Sequence, residues 1–328
     1  QTLYKWRHMP ADMALDPYIC LPRPIRSSGW GIGVEETLAF SSPETEVKSH
    51  HYINQIREPE DIAKIHTPQI TLDAAEEAAI VETARRVCEG ILPFRMVGMT
   101  MHLGIWDSIS MWMGVENCYL ELMDRPEMMH QLMETLTRGL IDMVGQLNAL
   151  QAFDIHSHIC HCSHTYLEDL PVSEEAVSAN AWAFGLAQLF TSVSPAITDE
   201  FEVAYMRRVF PLFGAIYYGC CDRLDDRLNV IEKLPQVRKI SCSPWSDREN
   251  FARNLPKQYI MSNKPNPALV AKDTMDEEEI RADIRRTIKA ARDNGVGLEL
   301  ILKDISTVRY EPQRLWTWSR IALEEVSR

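Results

Sequence analysis

The sequence has no hydrophobic run long enough to cross a membrane and no recognisable secretion signal at its start. No stretch approaches the roughly 20 apolar residues that a transmembrane helix needs. The first residues also lack the charged segment and the following apolar segment of a signal peptide. These absences argue against a membrane protein. The chain begins at Gln1 without a methionine, which is compatible with a leader that has been removed.

Basic residues are too few for a general nucleic-acid or anionic-membrane surface. The 34 Lys and Arg residues face 47 Asp and Glu residues, which gives a net charge of −13 over 328 residues. Both kinds of surface need an excess of cations that releases counterions. The net charge is still compatible with a local basic pocket for an anionic ligand. With 45% hydrophobic residues, the chain has enough apolar content for one large domain or two ordinary ones.

The cysteines do not form the pattern of a disulfide scaffold. Eight cysteines are few for a chain of this length, and the pairs Cys160 with Cys162 and Cys220 with Cys221 are too close in sequence for structural bridges. We therefore expect reduced thiols and a cytoplasmic protein. Three isolated cysteines are expected to be buried small hydrophobic residues: Cys20, Cys88 and Cys118.

A glycine-rich phosphate loop is also missing. Residues 29–33 (GWGIG) lack the third glycine position and a preceding strand. A dinucleotide-binding domain is therefore excluded as the main interpretation.

Short apolar runs alternate with helical patterns along the chain. After an irregular arm with a short helix near 59–65, strands are predicted at 94–100, 152–158, 188–193, 214–218, 237–242, 258–262 and 297–302. Helices are predicted at 72–89, 119–150, 199–210, 224–234, 247–255, 276–294 and 311–326. The helix at 119–150 is expected to break at Asp124, with Pro126 in the first turn of its second part. A further helix is predicted after Ser173, following a loop through Pro171. These six or seven strands, with room for one more in the N-terminal part, are typical of parallel βαβ units. We predict an α/β fold, a (β/α)8 TIM barrel of residues 71–328, with an N-terminal arm of residues 1–70 packed on it.

Polar side chains follow nearly every predicted strand. In a barrel of this kind, catalytic groups lie at the C-terminal ends of the strands and in the loops that follow. We therefore expect an active site at that end. The strand-end residues are His102, Trp106, Asp107, His156, His158, Cys160, His161, Cys162, His164, Cys220, Cys221, Asp222, Cys242, Ser243, Trp245, Asn263, Lys264, Lys303 and Asp304.

Most of the soft metal ligands lie in two segments, 154–164 (DIHSHICHCSH) and 217–222 (YYGCCD). Zinc prefers imidazole and thiolate ligands. Strand alternation puts His156 and His158 on one face, whereas Cys220 and Cys221 on a strand would face opposite sides. We predict a zinc site drawn from these four residues. The alternative is that the histidines are solvated or hydrogen-bonded in the core and that the cysteines are ordinary buried residues.

Five segments of the C-terminal half carry a family resemblance: 192–201 (SVSPAITDEF), 217–228 (YYGCCDRLDDRL), 239–245 (KISCSPW), 259–268 (YIMSNKPNPA) and 300–318 (LILKDISTVRYEPQRLWTW). Together they resemble the uroporphyrinogen decarboxylase-like superfamily, and a looser similarity extends back to about residue 90. Members have a (β/α)8 barrel. They include cofactor-free porphyrinogen decarboxylases and zinc-dependent methyltransferases that exchange methyl groups with a separate corrinoid protein.

The resemblance implies a particular zinc site in the methyltransferase branch. There, zinc is held by a His-x-Cys element at one strand end and by a later cysteine. Here Tyr218, Gly219 and Cys220 fill the His-x-Cys position, and residues 300–304 contain no cysteine. The zinc ligands would therefore be redistributed, with His156, His158, Cys221 or Cys242 as replacements.

The decarboxylase branch is also matched only in part. Its arginine-rich N-terminal signature is missing, and Arg23 and Arg26 resemble it only weakly. The sequence shows no clear set of basic residues for a highly carboxylated porphyrinogen.

The sequence therefore predicts a zinc-dependent methyltransferase that moves a methyl group between a small substrate and a corrinoid protein or a thiol. The alternatives are a cofactor-independent decarboxylase or lyase of the uroporphyrinogen decarboxylase type, and a non-catalytic barrel that sequesters a ligand. A homodimer is compatible with each of these. The predicted catalytic residues are Glu200, Asp222, Lys303 and Asp304, and the predicted substrate-binding residues are His102, Trp106, Tyr218 and Lys264. The simpler alternatives are a helix N-terminal charge for Glu200 and a structural ion pair for Lys303 with Asp304.

Overall fold

Thirteen short strands run through the part of the chain that the structure describes. The structure is a computed structural model and describes residues 1–40, 48–166, 170 and 173–328. The strands are β1 (Ile19–Pro22), β2 (Ile25–Ser27), β3 (Glu36–Phe40), β4 (Lys48–Tyr52), β5 (Ile70–Leu72), β6 (Phe94–Val97), β7 (Ile159–Cys160), β8 (Ser163–His164), β9 (Trp182–Gly185), β10 (Ala215–Tyr218), β11 (Val237–Cys242), β12 (Ile260–Asn263) and β13 (Gly297–Leu300).

Helices alternate with these strands. They are α1 (Thr2–His8), α2 (Ala74–Cys88), α3 (Ile105–Met113), α4 (Val115–Asp124), α5 (Pro126–Ala149), α6 (Pro195–Thr198), α7 (Ala204–Val209), α8 (Leu228–Ile231), α9 (Arg248–Asn254), α10 (Ala268–Ala271), α11 (Glu277–Asn294) and α12 (Gln313–Val326). Short 3₁₀ helices lie at Pro59–Lys64, Ser178–Asn180, Gln188–Ser192 and Phe210–Leu212, and a π-helical turn at Asp199–Val203 joins α6 to α7. No helix in the described residues is both long enough and apolar enough to cross a membrane.

The main sheet has five parallel strands in the order β13, β12, β11, β10, β9. Sequential strands are neighbours, and segments containing helices connect them, as in βαβ units. The buried strands β9 and β10 consist of apolar and aromatic residues because both of their faces are covered, whereas β11 also contains Arg238, Lys239 and Ser241. Their carboxyl ends therefore lie along one edge of the sheet.

Further parallel contacts extend this arrangement beyond β9. Single bridges join Met99 to Phe153 and His102 to Phe184, and β6 pairs in parallel with β1 from the N-terminal arm. The predicted α/β class with parallel strands is confirmed, and the arm supplies the additional strand that the sequence had left room for. Within residues 1–40, 48–166, 170 and 173–328, no ladder joins β13 to β1, so closure into a barrel stays a prediction.

Helix boundaries follow from local side-chain chemistry. Asp73 accepts a hydrogen bond from the backbone N–H of Glu76 at the start of α2, and Asp276 caps α11 in the same way. Gly295 ends α11 with φ +61, a left-handed conformation that suits glycine. The predicted break near Asp124 is confirmed, because α4 ends there and α5 begins at Pro126.

The methionines of α5 belong to the hydrophobic core. Met128, Met129 and Met133 are at most 3% exposed and lie in one cluster with Leu132 and Leu136. The apolar stripe on this helix is therefore packing surface rather than a cofactor groove, as its helical period indicated.

Three predicted elements differ in the structure. The strand predicted at 188–193 is a short 3₁₀ helix, and the strand beside β10 is β9 at 182–185, whose four residues are all buried. The strand predicted at 152–158 is reduced to a single bridge at Phe153. Residues 173–177 are not helical, and Pro171 lies outside the described residues. The two strand errors fall where an apolar run is compatible with either a turn or a strand.

The hairpin of β7 and β8 is fixed to the last strand of the sheet. The Ser163 hydroxyl and the backbone N–H of His164 each donate a hydrogen bond of 2.8 Å to the carboxylate of Glu299 on β13. Glu299 also lies 3.4 Å from the ammonium of Lys239 on β11. Ser163 and Lys239 are buried. The hairpin therefore packs against the sheet through a buried polar network.

Candidate functional site

The candidate site begins where β10 ends. Gly219 has φ +86, and a Cβ at this position would lie 2.6 Å from Leu224 Cδ1 and 3.1 Å from Ser241 Cβ. Glycine is required there for both backbone conformation and space. The turn takes Cys220 and Cys221 out of the strand, so they do not face opposite sides as predicted. Their sulfur atoms lie 3.7 Å apart.

Two lysines and an aspartate surround this pair. Lys303 Nζ lies 3.0 Å from Cys220 Sγ, 3.9 Å from Cys221 Sγ and 3.1 Å from Asp304 Oδ2. The Cys221 thiol donates to Asp304 Oδ2 at 3.3 Å. We call Cys220, Cys221, Lys264, Lys303 and Asp304 the Cys220 cluster. Its members come from the segments that follow β10, β12 and β13.

Lys264 supplies a buried positive charge to the cluster. Its side chain is 1% exposed, and Nζ donates to the Cys220 carbonyl oxygen at 2.6 Å and to Ser241 Oγ at 2.7 Å. Among the described residues, no carboxylate lies within ion-pair distance of Lys264. A buried ammonium needs a compensating charge, and the Cys220 sulfur can provide it as a thiolate.

The surroundings favour that thiolate. The contact with Cys221 is the largest cause that lowers the pKa of Cys220, and the charges of Lys264 and Lys303 help to overcome the opposing effect of burial, so that the pKa falls to about 6. The same contact and burial raise the pKa of Cys221 above its ordinary value. At neutral pH, Cys220 is therefore the ionised sulfur and Cys221 keeps its proton.

Lys303 stays charged beside this sulfur. Burial alone would lower the pKa of Lys303, but the hydrogen bond to Cys220 and its negative charge outweigh burial and hold the pKa above the ordinary value. Thiolate and ammonium thus stabilise each other's charged forms.

Two buried carboxyl groups lie behind the cluster. Asp222 Oδ1 accepts a hydrogen bond of 2.6 Å from the backbone N–H of Cys220, and burial raises the pKa of Asp222. Glu202, on the π-helical turn, is fully buried and accepts a hydrogen bond of 3.4 Å from the Tyr218 hydroxyl. Burial holds the pKa of Glu202 well above its ordinary range. Burial therefore favours the protonated form of Glu202, and Asp222 orients the backbone at Cys220.

The β7–β8 hairpin forms a wall of the site. His161 stacks on Phe184 with ring centroids 4.0 Å apart, and its Nδ1 lies 3.2 Å from Cys162 Sγ. Cys162 Sγ in turn lies 3.5 Å from the Tyr217 hydroxyl. Burial, followed by the charges of Lys303 and Lys264, lowers the pKa of His161 to about 4. The imidazole is therefore neutral at physiological pH.

The structure brings together only some of the predicted site residues. Cys220, Cys221, Asp222, Lys264, Lys303 and Asp304 meet at one end of the sheet, and Tyr218 lies behind them. His102 lies near the wall, with its ring 5.0 Å from that of Phe184.

Glu200 and Trp106 lie outside the Cys220 cluster. The Glu200 side chain is 51% exposed and accepts a hydrogen bond from His130 Nε2 at 3.1 Å. Trp106 is fully buried and packs on Phe190 in the core. Tyr217, Phe184 and Ser241 contact the site but are absent from the sequence prediction, because apolar strand residues and a lone serine carry no chemical signal.

The predicted zinc ligands do not form one group. His158 Nε2 lies 2.8 Å from Asp16 Oδ2, although not in hydrogen-bond geometry, and His156 lies against Arg95. Both histidines line a separate cavity of about 410 Å³. Across the described parts of the chain, no three His, Cys, Asp or Glu side chains are arranged to hold a metal ion. The Lys303 ammonium also takes the place of a cation against the two sulfurs. The donor set therefore does not fit zinc.

Comparison with known proteins identifies a related fold. No family model matches the sequence, and neither does any curated protein. Among solved structures, a methyltransferase from Methanosarcina mazei matches with a TM-score of 0.54, at 11% sequence identity, over 99% of this chain and 84% of that one. The chain therefore shares the fold of this methyltransferase along nearly its whole length.

Proposed function

We propose that this chain is a methyltransferase and that the Cys220 cluster is its reaction site. The single observation that carries the proposal is the contact between Cys220 Sγ and Lys303 Nζ, 3.0 Å apart at the carboxyl end of parallel strands. A thiolate accepts a methyl group more readily than a thiol, and this contact helps to keep Cys220 ionised at neutral pH. The fold shared with a methyltransferase supports the same class of reaction.

In the proposed reaction, the Cys220 thiolate attacks the methyl carbon of the donor. The sulfur lone pair forms the new S–C bond, and the bond between the methyl carbon and the donor atom breaks, with both electrons leaving on that atom. The second step moves the methyl group from sulfur to the acceptor, which is a thiol or a corrinoid protein. The low pKa of Cys220 makes its sulfur a better leaving group in this step.

The lysines supply the positive charge that a metal would otherwise give. Lys303 stabilises the thiolate before attack and again when the S–C bond breaks, while Lys264 does so through the buried side of the site. Asp304 holds Lys303 in place. No step requires zinc, since the residues present do not form a zinc site.

The proposal extends to the architecture and the location. A closed (β/α)8 barrel of the uroporphyrinogen decarboxylase-like kind would place all strand ends around the Cys220 cluster. A cytoplasmic location is favoured because all eight cysteines are free.

The direct test uses donors that carry isotope-labelled methyl groups. Methylated amines, methoxy compounds, methyl thioethers and sulfonium compounds are each incubated with the protein and with a thiol or reduced cobalamin as acceptor. We expect one donor class to transfer label, and Cys220→Ser to lower the rate by about 100-fold or more. Glu200→Gln is the matched control and should retain the wild-type rate. Full activity in Cys220→Ser would contradict the proposed site.

A carboxy-lyase is the second candidate. The ammonium groups of Lys264 and Lys303 contact the carbonyl oxygen and the sulfur of Cys220, and such cations can hold a substrate carboxylate. Release of CO₂ from a carboxylated substrate, unaffected by Cys220→Ser but lost in Lys303→Met, would support this function over methyl transfer.

A further inference from the structure

We propose that Cys220 and Cys221 form a dithiol site for monosubstituted trivalent arsenicals. This inference does not depend on methyl transfer. It rests on the position of the two sulfurs, on their different protonation and on the number of ligands available to a bound atom.

The two sulfurs are already on the same side of the chain. Adjacent residues of an extended strand face opposite ways, but the turn at Gly219 removes this restriction. As a result, Cys220 Sγ and Cys221 Sγ are 3.7 Å apart and both approach Lys303 Nζ. One arsenic atom can bridge them without a large movement of the backbone.

The number of ligands selects the class of compound. In the described residues there is no third His, Cys, Asp or Glu placed to complete a metal site, and zinc would need one. Arsenic in a monosubstituted trivalent compound already has one bond to carbon. Two sulfurs complete its three bonds. Thiolates are also soft ligands, which suit such an atom.

The reaction is balanced without any oxidant or reductant. The Cys220 thiolate attacks arsenic and displaces hydroxide, which takes a proton from Lys303 or solvent and leaves as water. Cys221 then forms the second S–As bond while its proton leaves with the second hydroxide. The net change is R–As(OH)₂ plus two thiols to the cyclic dithioarsenite plus two waters. Asp304, which accepts the hydrogen bond of Cys221, is placed to carry that proton.

A path from solvent to the pair exists on the Asp304 side. The Asp304 side chain is 56% exposed and that of Lys303 is 18% exposed. Cys221 is also partly exposed, while Cys220 is 6% exposed. The reagent therefore meets the pair from the Asp304 side.

The experiment uses phenylarsine oxide with the reduced full-length protein after removal of thiol reductant. Intact-mass spectrometry should show one adduct per chain that resists excess glutathione and is removed by dithiothreitol. We expect Cys220→Ser and Cys221→Ser each to lower the apparent affinity for phenylarsine oxide by at least about 10-fold. Cys162→Ser, which changes the next cysteine along the site wall, should keep the adduct. A glutathione-resistant adduct in Cys221→Ser would overturn the proposal.

A second measurement needs no variant. Wild-type protein is treated with phenylarsine oxide, then with iodoacetamide, and the alkylated peptides are mapped. The arsenical should protect Cys220 and Cys221 together while Cys20, which is exposed and not buried as the sequence predicted, is alkylated as before. Protection of the Cys160 and Cys162 peptide instead would refute the assignment even if a serine variant had failed to fold.

Discussion

The ammonium of Lys303 lies 3.0 Å from the sulfur of Cys220, in a contact between residues 83 positions apart in the sequence. The neighbouring Cys221 lowers the pKa of Cys220 most, and the contact with Lys303 adds to this because each charge favours the other. Lys264 adds a second positive charge through the carbonyl of Cys220 and the hydroxyl of Ser241. The thiolate is therefore maintained by side chains of two further strand ends.

Replacement of Lys303 by methionine should make Cys220 less reactive at neutral pH. Removal of the ammonium raises the pKa of Cys220 from about 6 towards its ordinary value. The thiolate fraction at pH 7 then falls by roughly tenfold. The pH dependence of iodoacetamide alkylation at Cys220 measures the shift. Lys289→Met removes an exposed lysine that pairs with Asp293 and should leave the profile unchanged. An unshifted profile in Lys303→Met would show that the ion pair does not control the sulfur.

Alanine at Gly219 should destabilise the fold and disturb the site. The left-handed φ costs about 1–2 kcal/mol for a residue with a Cβ, and the collision with Leu224 and Ser241 adds to this. Gly90→Ala is a matched control, since φ is +70 there and nothing lies within 4 Å of the added Cβ. Urea unfolding should show a larger loss for Gly219→Ala than for Gly90→Ala. Equal losses would mean that the collision is relieved by small movements.

Replacement of Glu202 by glutamine should change how stability depends on pH. Burial raises the folded-state pKa of Glu202 well above the unfolded value, so the folded chain keeps a proton that the unfolded chain loses. This contribution to stability is full below the unfolded pKa of about 4.3 and is lost as pH rises towards the folded pKa. Relative to wild type, Glu202→Gln should therefore gain free energy of unfolding as pH rises above about 4.3, by up to ~1.4 kcal/mol per unit.

Urea unfolding at several pH values between the unfolded pKa and neutrality measures this gain. Glu200→Gln changes an exposed carboxyl on the same π-helical turn, and its stability should run parallel to that of the wild type. A wild-type curve that does not fall relative to Glu202→Gln would show that Glu202 is ionised in the folded state.

Metal analysis should find no zinc that depends on Cys220. The Lys303 ammonium lies against both sulfurs, and the predicted histidine ligands are engaged elsewhere. Wild type, Cys220→Ala and His158→Ala should therefore contain the same substoichiometric amount of zinc by elemental analysis. One equivalent of zinc in the wild type that is lost in Cys220→Ala would show that Cys220 belongs to a zinc site after all.

The sequence predicts the second half of the fold well because its signals are local. The strands at 237–242 and near 297–302 are short apolar or alternating runs, and the helix near 276–294 has an aspartate cap and a glycine stop. Strand β9 was misplaced because residues 182–185 and 188–193 both contain bulky apolar side chains, and only pairing with β10 decides between them. Such long-range pairing cannot be recognised from a short stretch of sequence.

The position of the site was predictable, but its chemistry was not. Strand ends indicated Cys220, Lys264 and Lys303 individually, and the structure brings them together. That Cys220 and Cys221 share a side depends on the turn after Tyr218, which one glycine does not reveal. Likewise, the separation of His158 from the cysteines depends on Asp16, 142 positions earlier in the sequence, so no spacing rule could detect it.

The attachment of the β7–β8 hairpin to Glu299 has a consequence for biosynthesis. The hairpin carries His161 and Cys162, yet the carboxylate that fixes it is 135 residues further along the chain. Lys303 follows four positions after Glu299. A nascent chain on the ribosome therefore has neither an anchored wall nor the Lys303 partner of Cys220 until its last strand has emerged. Before that moment the sulfur of Cys220 lacks one of the two lysine charges of the finished site.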